Sequence, residues 1–220
     1  NLGHAVGLAA PASAKAILSD LRAAGHDIAE AGDLTTRLQS DAIKLPLAAY
    51  HDALDRLPEP LRDQLAESWG PPETDALCRD GAFHFAAVDL GGALVALQPE
   101  RGETRARDDD YHDLSRVPRH GYVAFYLMLQ NRADALIHIG AHGTLEWLPG
   151  KSVALSETCW PEALTGALPV IYPFIVNDPG EAAQAKRRIG AVTLGHLPPP
   201  LADSDTPDRL AHLEALLDEF

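Results

Sequence analysis

Apolar positions follow a helical spacing in the first third of the chain. They recur every three or four residues in APASAKAILSDLRAAG, LPLAAYHDALDRL and PEPLRDQLAESWG, which is the spacing of amphipathic helices. Pro11 stands at the entrance of the first segment, and Gly25 and Gly70 stand where the first and third segments should end. We therefore expect a mainly helical α/β portion over residues 1–75.

Short apolar runs replace this spacing in residues 76–220. Two of them flank Asp89 to Gly92 in GAFHFAAVDLGGALVALQPE, which predicts two strands joined by a tight turn. Further along, ADALIHIG, PVIYPFIV and GAVTLGHL are predicted strands, and PRHGYVAFYLMLQNR and NDPGEAAQAKRRI are predicted helices. In the second helix Asp178 is the expected N-cap and Glu181 completes a capping box. Strands that alternate with helices predict an α/β fold of layered, mostly parallel sheets flanked by helices.

Charge and cysteine content narrow the classes of function. Lys plus Arg number 18 and Asp plus Glu number 32, so the formal net charge is −14, which disfavours binding to nucleic acid phosphates. No apolar run reaches the roughly 18 to 20 residues that a membrane span requires. The two cysteines are far apart and form no CxxC pair, which fits a reducing cytoplasm better than a disulfide framework.

The two ends of the sequence point to a larger protein. The chain begins at Asn1 without a basic and then apolar signal segment, and it ends in RLAHLEALLDEF, inside an amphipathic pattern that has no stop signal. We expect a fragment of a larger multidomain chain.

Three potential metal ligands stand at four-residue intervals in ADALIHIGAHGTLEWLPGK, namely His138, His142 and Glu146. One helix would place them on one face, but Gly140 and Gly143 weaken a helix, so we expect His138 to end a strand and GAHG to form a loop. Ligands bind beyond the carboxyl ends of parallel strands, and imidazole with carboxylate suits cobalt or zinc or accepts protons near neutral pH. The alternative is a core histidine, a polar loop residue and a helix-start carboxylate.

The longer string around this motif resembles a known family. HIGAHGTLEWLPGKSVALSETCWPEALTGALPVIYPFIVNDPGEAAQAKRRIGAVTLGHLPPPL closely resembles the large subunit of aerobic cobaltochelatase, in a family shared with the tetrapyrrole-binding large subunit of magnesium chelatase. VGLAAPASAKAILSDLRAAGHDI, ALQPERG and YHDLSRVPRHGYVAFYLML extend the resemblance over most of residues 5–219. Lys151, Cys159-Trp160-Pro161 and Pro173-Phe174 favour the cobalt members, and the family's large subunits are several times longer than this chain.

This resemblance implies ATP-dependent insertion of Co²⁺, the substrate metal, into hydrogenobyrinic acid a,c-diamide during aerobic cobalamin biosynthesis. ATP would be hydrolysed by separate AAA+ partner subunits, and these residues contain no GxxxxGK[ST] phosphate loop. Insertion requires the metal to shed water while the macrocycle loses protons, so a base and a transient ligand both help. We expect His138 and His142 to deliver the ion and Glu146 to act as ligand or proton acceptor.

Further residues are weaker candidates, because each also has a plainer structural interpretation. A tryptophan between leucines is a typical core residue, and basic residues at a helix C-terminus stabilise its dipole without any ligand. His120 beside a glycine equally fits a helix cap. The candidates are Trp147 for stacking on the macrocycle, Lys186, Arg187 and Arg188 for pairing with its carboxylates, and His120, Glu157 and His196 for completing the site.

Three rival functions remain open at this point. One is insertion of magnesium, a hard oxygen-binding ion, into protoporphyrin IX. Another is a non-catalytic tetrapyrrole-binding module on the same fold. The third is a metal-dependent hydrolase with an activated water, which would hold its metal tightly, whereas transient delivery predicts weak metal binding.

Overall fold

A computed structural model describes residues 9–40, 42–102, 113–140, 143–175 and 179–196. Short 3₁₀ turns lie at Pro72–Thr74 and Leu145–Trp147. The helices are α1 (Ala10–Ala23), α2 (Leu34–Ser40), α3 (Leu47–Leu54), α4 (Glu59–Trp69), α5 (His120–Gln130), α6 (Trp160–Thr165) and α7 (Pro179–Arg188). The strands are β1 (Ala42–Pro46), β2 (Cys78–Arg79), β3 (Ala82–Asp89), β4 (Leu94–Ala96), β5 (Leu136–Ile137), β6 (Val170–Ile175) and β7 (Val192–His196).

Helices α1, α3 and α4 lie where the sequence predicts them, whereas α2 was not predicted. Gly25 and Gly70 follow α1 and α4 with φ of +97° and +67°, a region that glycine enters without steric cost. None of the helices in the described ranges combines the length and the apolar character that a membrane span needs.

The first sheet is antiparallel, with strand order β1-β3-β2 and with β4 paired to β3 beyond that path. The predicted hairpin around Asp89 to Gly92 is present, because Val88 pairs with Val95 and Asp89 with Leu94. Strand β1 was not predicted. It pairs with β3, with Ala42 opposite Ala86 and Pro46 opposite Ala82.

The second sheet is parallel, with order β5-β6-β7, and helix α7 forms the crossover from β6 to β7. The α/β class is therefore confirmed. The expectation of mostly parallel sheets needs a correction, since it holds for this sheet alone. In the first sheet, tight connections such as the one between β3 and β4 reverse the chain and leave no room for the crossover that parallel pairing requires.

Helix α5 organises the core between these sheets. Its residues from His120 to Leu129 are all buried, as expected for a helix that is apolar on every side. The same cluster includes Phe85 of β3 and Tyr172 of β6, so α5 packs with strands of both sheets. The cluster also includes Leu61 of α4, so it crosses the predicted domain boundary near residue 75. That boundary stays a prediction.

Candidate functional site

The motif segment begins with the predicted strand end and finishes with the predicted turn. The N–H of His138 donates to the carbonyl of Ile171 at 2.8 Å, so His138 extends the β5 ladder by one residue beyond Ile137. Glu146 lies in the 3₁₀ turn Leu145–Trp147. His142 lies outside the described residues. The carboxyl end of the parallel strand therefore leads directly into the candidate site.

Gly143 brings His138 and Glu146 together. A Cβ atom on Gly143 would lie 2.8 Å from Oε2 of Glu146, closer than real Cβ contacts come, and 3.0 Å from Nε2 of His138, tighter than most of them. The Gly143 N–H also donates to Oε1 of Glu146 at 3.0 Å. The imidazole and the carboxylate thus converge on a position that only glycine can occupy without displacing one of them.

Tyr172 joins the same pair from the neighbouring strand. Its hydroxyl donates to Oε1 of Glu146 at 3.4 Å, and its ring meets the His138 ring edge-on with centroids 4.9 Å apart. Tyr172 was not among the predicted site residues. The register of the two strands places it here: Ile137 pairs with Ile171, and the next residues along these strands are His138 and Tyr172.

Burial makes Glu146 an unusual acid. The residue is 1% exposed, and this burial raises the pKa of its carboxyl to about 7. The nearby charge of Glu181 raises it as well, while the Gly143 N–H and the Tyr172 hydroxyl lower it. A carboxyl with this pKa accepts or releases a proton near neutral pH.

Buried partners also hold the main chain of the turn. Arg188, which is 2% exposed, donates from Nη1 to the carbonyl of Glu146 at 2.6 Å and from Nε to the carbonyl of Lys151 at 3.1 Å. Trp147 is half-buried, and its indole N–H donates to Oε2 of Glu181 at 2.7 Å. Arg188 thus supports the turn from inside the protein, and its pairing with a substrate carboxylate stays a prediction.

A buried polar network supports the loop from the other side. Gln98 donates from Nε2 to Oγ1 of Thr144 at 2.5 Å, and that oxygen also lies 2.8 Å from the Tyr122 hydroxyl. The Tyr126 hydroxyl donates to Oε1 of Gln98 at 2.9 Å. These bonds join α5 to the residue that follows Gly143, so they fix the loop in place. Sequence analysis did not anticipate them.

Helix α7 carries the other two basic candidates, and the predicted capping box was placed at its start. Lys186 and Arg187 are exposed in the last turn of α7. Asp178 lies outside the described residues. Glu181 is 6% exposed and accepts the Trp147 indole N–H, so this carboxylate contacts the motif turn.

No hydrogen bond or ion pair among the described residues links His120 or Glu157 to Glu146. His120 is 3% exposed, with Nε2 2.8 Å from the Gly70 carbonyl and Nδ1 2.7 Å from the Tyr50 hydroxyl, and its burial lowers its pKa. Because a carbonyl only accepts, Nε2 carries the hydrogen and Nδ1 accepts from tyrosine. Glu157 is exposed and lines a separate groove of about 440 Å³. The backbone of His196 pairs with Ile175 in β7, and its side chain lies outside the described part of the structure.

No group of three or more His, Cys, Asp or Glu side chains capable of holding a metal ion occurs among the residues that the structure describes. Among the described residues, two potential metal-ligand groups converge beside Gly143, namely the imidazole of His138 and the carboxylate of Glu146. Both are ligand types that a borderline divalent ion such as cobalt accepts.

Comparisons with known proteins identify the family of this chain. The family model described as CobN/Magnesium Chelatase matches residues 1–220. The chain is 43% identical to the aerobic cobaltochelatase subunit CobN of Sinorhizobium sp and 45% identical to that of Pseudomonas aeruginosa, and it is covered completely in both matches. It spans 18% and 19% of the lengths of these relatives.

A solved structure adds a match in three dimensions. The catalytic subunit of cobaltochelatase from Mycobacterium tuberculosis superposes with a TM-score of 0.78 at 39% identity, over 99% of this chain and 20% of that one. The structural match covers both sheets and the motif turn, and the family model covers the whole chain. The chain therefore belongs to the CobN/magnesium chelatase family.

Proposed function

We propose that this chain is the metal-insertion portion of the large subunit of an ATP-dependent cobaltochelatase. The subunit would insert Co²⁺ into hydrogenobyrinic acid a,c-diamide in the cytoplasm, with ATP hydrolysed by AAA+ partner subunits. The observation that carries the proposal is Glu146, 1% exposed, with a pKa of about 7 and in van der Waals range of the same glycine as His138. The cobaltochelatase names of two relatives matched over the full chain support it.

The reaction needs a base that works near neutral pH. The macrocycle must give up inner N–H hydrogen as a proton when the metal enters, and an ordinary surface carboxylate is too weak a base to drive this efficiently. Burial raises the pKa of Glu146 to about 7, so it holds a transferred proton well and still ionises again. We assign Glu146 the role of proton acceptor.

The same geometry allows a transient metal contact. Oε1 of Glu146 is occupied by the Gly143 N–H and the Tyr172 hydroxyl, whereas Oε2 approaches the side of Gly143 that faces His138. An imidazole nitrogen and a carboxylate oxygen that meet in this way can replace water molecules on an incoming ion. We assign delivery of Co²⁺ to His138 and Glu146, together with His142 of the same loop.

A replacement of Glu146 in the full-length subunit tests this assignment. Glu146→Gln keeps the shape and can still accept the Gly143 N–H, but it cannot take up a proton, so cobalt insertion should slow by about 10² to 10⁴. Glu67→Gln, an exposed change on α4, is the matched control and should leave the rate unchanged. Near-normal insertion by folded Glu146→Gln would remove Glu146 from the mechanism.

Magnesium insertion into protoporphyrin IX is the second candidate, because the matching family model spans both chelatases. Both curated relatives described above carry cobalt names, which favours the first candidate. Offering each metal with each tetrapyrrole separates the two functions. Tetrapyrrole binding without ATP-dependent insertion would instead indicate a binding module, and tight metal binding without tetrapyrrole would indicate a hydrolase.

A further inference from the structure

We propose that Lys151 is a specificity residue that pairs with a peripheral carboxylate of the tetrapyrrole, a role that rests on the proposed function. Lys151 belongs to the loop 149–159, which follows the motif turn and leads into α6. The inference depends on how rigidly this loop is held, on what it exposes and on where it lies relative to Glu146.

The base of the loop is closed by main-chain and thiol contacts. The N–H of Trp160 donates to the Pro149 carbonyl at 3.0 Å. The sulfur of Cys159, itself 2% exposed, accepts the N–H groups of Lys151 and Ser156, both at 3.4 Å. Gly150 packs so closely on Cys159 that an added Cβ would lie 2.8 Å from the cysteine Cβ. The backbone of Lys151 is therefore fixed on its N–H side.

Arg188 fixes the other side and ties the loop to the site. The Nε of Arg188 donates to the Lys151 carbonyl, while Nη1 of the same guanidinium donates to the Glu146 carbonyl. Since the guanidinium is rigid and planar, the two carbonyls keep a constant separation. The main chain of Lys151 is therefore held at a fixed position relative to the main chain of Glu146, the proposed proton acceptor.

Several side chains of this loop are exposed to solvent, although hydrogen bonds hold its backbone. Lys151 is exposed, and no ion pair joins it to another described residue. Val153 is 58% exposed, although valine is usually buried. Ala154 has φ of +51°, a strained conformation for a residue with a Cβ. A clamped loop that displays a cation and an apolar side chain fits a flat apolar ligand with carboxylates at its edge.

The charge distribution also favours Lys151 as the carboxylate contact. The buried carboxylates of Glu146 and Glu181 and the net charge of −14 repel an anionic macrocycle unless a cation lies close by. Lys186 and Arg187 precede Arg188 on α7, and successive helix residues are turned by about 100°, so their side chains diverge from the face that holds the loop. Lys151 is attached to that face through its own carbonyl.

Charge reversal in the full-length subunit tests the proposal. The variants are Lys151→Glu, Lys151→Gln and the control Lys15→Glu, an exposed lysine of α1 with the same change in charge. The readout is the dissociation constant for hydrogenobyrinic acid a,c-diamide, measured by absorbance and fluorescence titration. The clamps use main-chain atoms of Lys151, so both variants retain them and should fold.

We expect Lys151→Glu to bind about 10-fold more weakly than wild type and Lys151→Gln about 3-fold, with Lys15→Glu unchanged. The loss should shrink in about 0.5 M salt, because screening weakens an exposed ion pair. Binding by Lys151→Glu within twofold of wild type, or equal losses in the Glu and Gln variants, would overturn the proposal and leave the proposed function intact. A wild-type subunit that binds no tetrapyrrole would contradict the proposed function itself.

Discussion

Replacing Gly143 with alanine probes the contact between His138 and Glu146 most specifically. The new Cβ would lie 2.8 Å from Oε2 of Glu146 and 3.0 Å from Nε2 and Cε1 of His138, whereas ordinary van der Waals contact begins at 3.4 Å. At least one of the two side chains must move by several tenths of an ångström. Both are confined, because Glu146 is 1% exposed and the His138 ring packs on Tyr172.

The size of the effect follows from this crowding. Overpacking of a buried site costs about 1–3 kcal/mol, and misplacing a reacting group by about 1 Å can cost about 10² in rate. We therefore expect Gly143→Ala to slow cobalt insertion by about 10- to 100-fold while the protein stays folded. The assay is the initial rate of ATP-dependent insertion, followed by absorbance in the full-length subunit with its partners.

Gly180→Ala is the matched control. Gly180 lies in the first turn of α7, and an added Cβ there would meet no atom within 4 Å. Alanine is also the better helix former, so this variant should keep its rate and lose no stability. An insertion rate for folded Gly143→Ala within twofold of wild type would refute the convergence of His138 and Glu146 on Gly143.

Further predictions concern proton binding and buried hydrogen bonds. Insertion should slow as pH falls below about 7, since Glu146 then becomes protonated, and a flat pH-rate profile would contradict its role as base. The folded-state pKa of Glu146 exceeds its ordinary 4.5, so the wild-type protein loses stability as pH rises from about 4.5 to about 7. In urea unfolding over that range, the unfolding free energy of Glu146→Gln should gain about 3 kcal/mol relative to wild type. No gain would contradict the burial argument. Tyr172→Phe removes a donor that lowers this pKa, so the acid limb of the rate profile should move to higher pH, and an unmoved limb would place Tyr172 outside the site. His120→Ala leaves the Tyr50 hydroxyl and the Gly70 carbonyl without their partner, so the free energy of unfolding should fall by about 2–4 kcal/mol. The rate of metal insertion by the folded variant should stay normal. A loss of insertion rate in the folded variant would give His120 a functional role.

Local sequence signals predicted much of the fold. Glycines at helix ends placed α1 and α4, and the apolar runs placed β6, β7 and the hairpin of β3 and β4. The strand end and the turn of the motif followed from Gly140 and Gly143, which oppose a helix at that point. These features depend on neighbours in the chain, so the sequence carries them directly.

Features that depend on pairing between distant segments were missed. Strand β1 has only Ile43 and Leu45 as its partly buried apolar residues, and its place comes from pairing with β3 some 40 residues later. Tyr172 meets His138 because β5 and β6 lie side by side, a register that no periodicity reveals. The antiparallel pairing of β1 with β3 has the same origin.

The sequence did not indicate which basic residue of α7 is buried. Lys186, Arg187 and Arg188 are adjacent in sequence, and basic residues at the end of a helix are usually exposed. The helix rotates each of them to a different direction, so Arg188 points inward to the carbonyls of Glu146 and Lys151 while the other two face solvent. Only the packing of α7 on the motif turn decides which of the three is buried.

The central claim is that the subunit containing this chain handles a corrin precursor for cobalt insertion. An absorbance and fluorescence titration of the full-length subunit with hydrogenobyrinic acid a,c-diamide and, separately, with protoporphyrin IX tests it most directly. The account predicts preferential binding of the corrin precursor. Preferential binding of protoporphyrin IX would contradict it in favour of magnesium insertion, and binding of neither compound would contradict tetrapyrrole chemistry altogether.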